Sequence, residues 1–141
     1  MTYVMEQKLV DVINSQRAEA IEFSKKPGCW MGMYVEPSDI EYWSKRVPSG
    51  TLKEFNRMNL EEDAYYCIAE AYSKSYARCF DFASMTDAEL ESEIKNACDS
   101  MDRERKFEEE LELQERKEEE ELAKSLGVDI DTLNRWMKEA A

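Results

Sequence analysis

Apolar residues recur along the first part of the chain at helical spacing. Between Val4 and Phe23, Met5, Leu9, Val12, Ile13, Ala20 and Ile21 fall mostly three or four positions apart, which predicts an amphipathic helix ending near "KKPG". Lys25 and Lys26 suit that end, where the last carbonyls carry partial negative charge, and Pro27 and Gly28 disfavour continuation. The run "CWMGMYVEP", Cys29 to Pro37, is apolar but too short for a full helix, and reads as an extended segment laid over a core.

Three capping patterns follow. In "SDIE" from Ser38, "TLKE" from Thr51 and "NLEE" from Asn59, a Ser, Thr or Asn stands three positions before a Glu, so side chains satisfy amides that a helix start leaves without partners. They predict short helices beginning near 39 and 51, separated by "VPSG", and a longer one over roughly 60 to 82. On that longer helix Tyr65, Ile68, Tyr72, Tyr76, Cys79 and Phe80 share one side. The stripe reads either as a core face with phenolic rims or as an aromatic patch turned to a partner; exposure of Tyr66 and Phe82, which lie off it, would favour the partner.

A fourth pattern, "TDAE" at Thr86 to Glu89, opens a helix expected to run through Leu126. Leu90, Ile94, Ala97 and Met101 form a seam for a neighbouring helix or for a homodimer. Beyond Met101 the seam fails, because the heptad next places Glu104 and Glu108 in it. Helix is still expected, since Asp99 with Arg103, Asp102 with Lys106, Glu112 with Arg116 and Glu120 with Lys124 are acid-before-base pairs at i, i+4. Each contributes about 0.2–0.5 kcal/mol. The pattern divides the chain into a helical body, 1–101, a charged helical arm, 102–117, and a C-terminal segment, 118–141.

Composition agrees with an all-α chain of one-domain size: 141 residues with only 4 Gly and 3 Pro, 43% hydrophobic and 36% charged. Charge changes the picture more. The net −13 is divided unevenly, with −3 over residues 1–83 and −10 over residues 84–141. The arm is then either a solvated strut or an acidic surface aimed at a basic partner.

No apolar run approaches the ~18 residues that a membrane span requires, and the N-terminal residues lack the basic start and apolar centre of a signal peptide. A cytoplasmic protein without a membrane segment is expected. With no Cys-x-x-Cys pair and no histidine, Cys29, Cys67, Cys79 and Cys98 read as reduced thiols rather than as a disulfide frame or a zinc site. A Gly-rich phosphate loop and a Gly-x-Ser-x-Gly elbow are also missing, so the expectation is a non-enzymatic chain with no cofactor.

The sequence "ELAKSLGVDIDTLNRWMKE" resembles, over residues 119–139, the two-helix unit of phage-repressor, resolvase and transposase helix-turn-helix proteins. Ala123 matches the small residue where the helices touch, Gly127 the turn, Val128 its apolar neighbour, and Leu122, Leu126, Leu133 and Trp136 the buried positions. The resemblance implies that Asp129, Ile130, Asp131, Asn134, Arg135 and Lys138 face outward. Asn134 and Arg135 suit adenine and guanine edges and Lys138 a phosphate, whereas Asp129, Asp131 and the run Glu118 to Glu121 oppose a polyanion.

Two functions follow as expectations. In the first, Glu108, Glu109, Glu110, Glu115, Glu118, Glu119, Glu121, Asp129 and Asp131 meet a basic protein surface, such as the nucleic-acid groove of a host protein or defence complex. Small acidic helical inhibitors from phages and plasmids are similar in composition. In the second, Asn134, Arg135 and Lys138 read duplex DNA for a regulator or for a recombination or packaging accessory, and a dimer through Leu90, Ile94, Ala97 and Met101 sets half-site spacing.

Overall fold

The apolar face of the first helix finds its partners across the short helices that follow. In the computed structural model, which describes residues 2–141, α1 spans Gln7–Ser24, α2 Ile40–Arg46 and α3 Leu52–Ala71. Leu9 and Ile13 from α1, Trp43 from α2, Val47 just after it and Phe55 from α3 are buried together. Each such side chain contributes about 1.5–3 kcal/mol through the apolar surface it withdraws from water. Polar ends inside this core are satisfied. Trp43 Nε1 donates to the Glu36 carbonyl at 3.0 Å, and the Tyr3 hydroxyl donates to the Val47 carbonyl at 2.7 Å.

The segment Cys29 to Pro37 has no regular secondary structure, and only its second half lies on the core, through Tyr34 and Val35. Side chains of α1 replace a partner strand. Gln16 donates to the Gly32 carbonyl at 2.8 Å and accepts from the Tyr34 amide at 3.0 Å, while Arg17 donates to the Tyr34 carbonyl.

The caps behave unequally. Asp39 rather than Ser38 starts α2, accepting from the Tyr42 amide at 3.1 Å, and Thr51 starts α3, accepting from the Glu54 amide at 3.2 Å. Asn59 starts nothing, because α3 runs straight through it, held by Phe55 in the first core before it and by Ala64 and Ile68 buried after it. The helix expected to reach 82 stops at Ala71. Ser73 caps a single turn, α4 (Lys74–Ala77), and a 3-10 turn covers Phe82–Ser84.

That break folds the chain back, so the aromatic stripe is not one helix face. Tyr72, Tyr76, Phe80, Phe82, Tyr65 and Tyr66 form a chain of ring contacts with centroids 5.2–6.4 Å apart. Phe80 and Phe82 pack on a second core of Ile68, Ala77 and Ala97. Of the two rings that were to test the partner reading, Tyr66 is exposed and Phe82 is half-buried.

The helix α5 spans Asp87–Leu126, 40 residues or about 60 Å. Its capping box is complete: Thr86 Oγ1 accepts from the Glu89 amide at 3.2 Å, and Glu89 accepts from the Thr86 amide at 3.3 Å. Arg57 of α3 pairs with Asp87, and Ile68 shares the second core with Ala97, so α3 and α5 run side by side in the same direction. Of the two readings of the seam, the neighbouring helix is the one seen: α3 packs along α5, Leu90 and Ala97 are fully buried within the chain, and Ile94 and Met101 are half-buried. The four cysteines are free thiols. Cys67 of α3 is half-buried beside Cys98 of α5, and its pKa is raised, first by burial and then by that neighbour. No helix among the described residues is long and apolar enough to cross a membrane.

Candidate acidic interaction surface

From Asp102 to Glu118 every side chain of α5 is exposed, so this stretch leaves the body as a free-standing helix. At about 100° per residue, Glu104, Glu108, Glu112, Glu115 and Glu119 fall within an arc of roughly 80°, with Glu118 about 40° beyond it. The basic residues Arg103, Arg105, Lys106, Arg116, Lys117 and Lys124 all fall outside it, leaving a sector of about 200° without a cation. Residues 108–121 carry 9 carboxylates and 2 cations over about 21 Å, roughly one net negative charge per 3 Å. Duplex DNA carries one per about 1.7 Å. The arm thus reaches about half the linear charge density of DNA.

These carboxylates are free to meet a partner. None of the four expected i, i+4 pairs forms; instead Lys95 pairs with Asp99 at 3.0 Å and Arg105 with Asp102 at 3.5 Å. In full solvent the ordering of two long side chains offsets most of the Coulomb gain, so an exposed helix need not close them. Glu104, Glu108, Glu112, Glu115 and Glu119 make no ion pair among the described residues.

The acidic residues singled out in the sequence divide. Glu108, Glu115, Glu118 and Glu119 lie in the cation-free sector, while Glu109, Glu110 and Glu121 point into the mixed sector or its edge. Asp131 is exposed on the first turn of α6 (Ile130–Ala140). Asp129 is exposed as well, but its carboxylate is engaged as the cap of α6. Hydrogen bonds from Thr132, the side chain first and then the backbone amide at 2.7 Å, hold its carboxyl below the ordinary aspartate value. Glu104 and Glu112 belong to the face and were missed, although helical projection of the sequence was enough to find them.

At its far end α5 meets α6 through the expected turn. Gly127 has φ +69°, and the Val128 amide donates to the Ala123 carbonyl at 3.0 Å, closing the end of α5. Ala123 and Leu133 are buried where the helices touch. Leu122, Leu126 and Trp136, which the resemblance implies to be buried, are instead 46%, 52% and 46% exposed, because no described element lies on their far side. Asn134, Arg135 and Lys138 are exposed and make no side-chain hydrogen bond among the described residues.

Apolar side chains share the acidic side of the arm. Phe107, 61% exposed, Leu111 and Leu122 project within about 60° of one another. Leu122 and Met137 of α6 face a groove of about 250 Å³ rimmed by Glu115, Glu118 and Glu119. In the sequence Phe107 and Leu111 read only as interruptions of the charge run; an apolar pair at i, i+4 with nothing of its own to cover was the signal. Comparison with protein families, with curated proteins and with solved structures gives no match.

Proposed function

We propose that this protein is a non-enzymatic, acidic interaction protein whose free α5 arm binds the basic, nucleic-acid-binding surface of another protein. The observation that carries the reading is the cation-free face: five unpaired glutamates on one side of a helix that projects from the body, with the bases gathered on the other. Such a surface attracts a lysine- and arginine-rich groove at long range and repels a phosphate backbone. An inhibitor encoded by a phage or mobile element is one setting that would use it.

The test is competitive capture. The full chain, immobilised and exposed to the nucleic-acid-binding proteins of its source cells, is expected to retain a basic protein that duplex DNA displaces and that elutes as salt shortens the Debye length from about 10 Å toward 3 Å. Retention that survives 1 M salt and excess DNA would contradict the proposal.

A second reading is favoured by one specific observation, the α5–α6 turn. With Gly127 left-handed and Ala123 and Leu133 buried, Asn134, Arg135 and Lys138 stand where a helix-turn-helix presents side chains to DNA. Against it, the preceding helix carries Glu118 to Glu121, and four consecutive helical residues span too wide an arc to be hidden from whatever that helix crosses. The non-specific part of DNA affinity comes from cations, and residues 118–141 hold three, Lys124, Arg135 and Lys138, against seven carboxylates.

A further inference from the structure

The groove between α5 and α6 has chemistry that charge alone does not explain. Leu122 and Met137, each about half exposed, line it, and Phe107 and Leu111 continue the apolar stripe along α5 toward the body. Large apolar side chains exposed together mark a binding surface more often than chance, and here carboxylates surround them. We infer that this groove docks a basic amphipathic α-helix of another protein. This rests on the acidic-partner reading above and gives the partner a form.

The register follows from the arm. Phe107 and Leu122 are 15 residues apart, about 22 Å, so the occupant is a helix of about four turns. Its apolar positions lie near i, i+4 and i+15, to seat on Phe107, Leu111 and the Leu122–Met137 pair. Between the last two, Glu115 and Glu118 call for Lys or Arg near i+8 and i+11, with further cations flanking toward Glu104, Glu108 and Glu119. A second copy of this chain is a poor occupant, because it would set the same carboxylates against one another. Nucleic acid is a worse one, since its phosphates would meet both acid and hydrocarbon.

Calorimetric titration of the full chain at low salt with three synthetic 18-residue peptides tests this. One carries Leu at i, i+4 and i+15 among Lys and Ala; the second has the same composition shuffled so that no face is apolar; the third replaces Lys by Glu. The first is expected to bind with micromolar Kd and at least tenfold tighter than the second. Leu111→Ser combined with Met137→Ser should remove that tenfold advantage without changing the shuffled peptide's binding, and both positions are exposed enough for the fold to tolerate it. Equal binding of the first two peptides would overturn the groove while leaving the acidic-partner reading intact. Failure of both lysine peptides to bind would overturn both, and binding of the glutamate peptide as tightly as the first would overturn the role of the acidic rim. Self-association of the chain abolished by the double variant would assign the groove to a second copy, against the inference.

Discussion

Gly50 and Gly127 share nearly the same left-handed backbone, φ +67° and +69°, and differ in what surrounds them. A side chain at Gly127 would meet nothing within 4 Å, so Gly127→Ala is expected to cost only its backbone strain, about 1 kcal/mol, felt at the α5–α6 turn. At Gly50 the added carbon would also overlap the Val4 carbonyl, in a segment tied down by the Glu6 amide donating to the Gly50 carbonyl at 2.8 Å. Gly50→Ala is therefore expected to cost more than about 2 kcal/mol. Urea unfolding followed by tryptophan fluorescence checks both, and an equal loss in the two variants would contradict the difference. Asp129 supplies a pH dependence of known sign. Its carboxyl is held below the ordinary value in the folded chain, so its cap is fully present above an aspartate pKa of about 4 and is lost as pH falls through the lower, folded value. The Thr132 amide shift in NMR is expected to titrate there, and to stop titrating in Asp129→Asn, which keeps an acceptor.

At the scale of the elements, α5 belongs to two environments, and one helix provides its own control. Leu90 is fully buried against α3 and Phe107 is 61% exposed on the arm. Leu90→Ala is expected to cost about 2–5 kcal/mol and Phe107→Ala no more than about 0.5 kcal/mol, by chemical denaturation. A large loss at Phe107 would mean that the arm packs on something. This helix was also the most legible part of the sequence. The Thr86–Glu89 box, the Leu90 to Met101 seam and Gly127 mark its start, its packed half and its end, because each acts through neighbours three or four residues away. What the sequence hid depended on distant contacts. Asn59 looked like a cap and is not one, since Phe55, Ala64 and Ile68 hold α3 together across it. The break after Ala71 carries no Gly or Pro; it is stabilised by the return of Phe80 and Phe82 onto the second core, which no local pattern reveals. The acidic face was half legible. Its carboxylates were visible as a run, but sorting Glu104, Glu108, Glu112, Glu115 and Glu119 from Glu109, Glu110 and Glu121 required their projection around the helix axis.

The whole molecule is a helical body with two small cores and a charged arm that ends in a helical hairpin. Both cores are built from residues no later than Ala97, and the arm's side chains from Asp102 to Glu118 are exposed. A chain ending at Met101 is therefore expected to keep the near-ultraviolet circular dichroism of the body and its cooperative unfolding. Loss of either would show that the arm supports the body. The division of labour also sets the long-range field, with net −10 on residues 84–141 against −3 on residues 1–83. Association with a basic partner should then be fast and salt-sensitive, and should weaken when Glu104, Glu108, Glu115 and Glu119 are changed to Gln. The most direct measurement is fluorescence anisotropy of labelled duplex DNA titrated with the full chain at low salt. If the acidic arm governs binding, DNA is not bound more tightly than about 10 μM. Tighter binding that weakens steeply with salt and disappears in Arg135→Ala would contradict this and give the molecule to the helix-turn-helix reading.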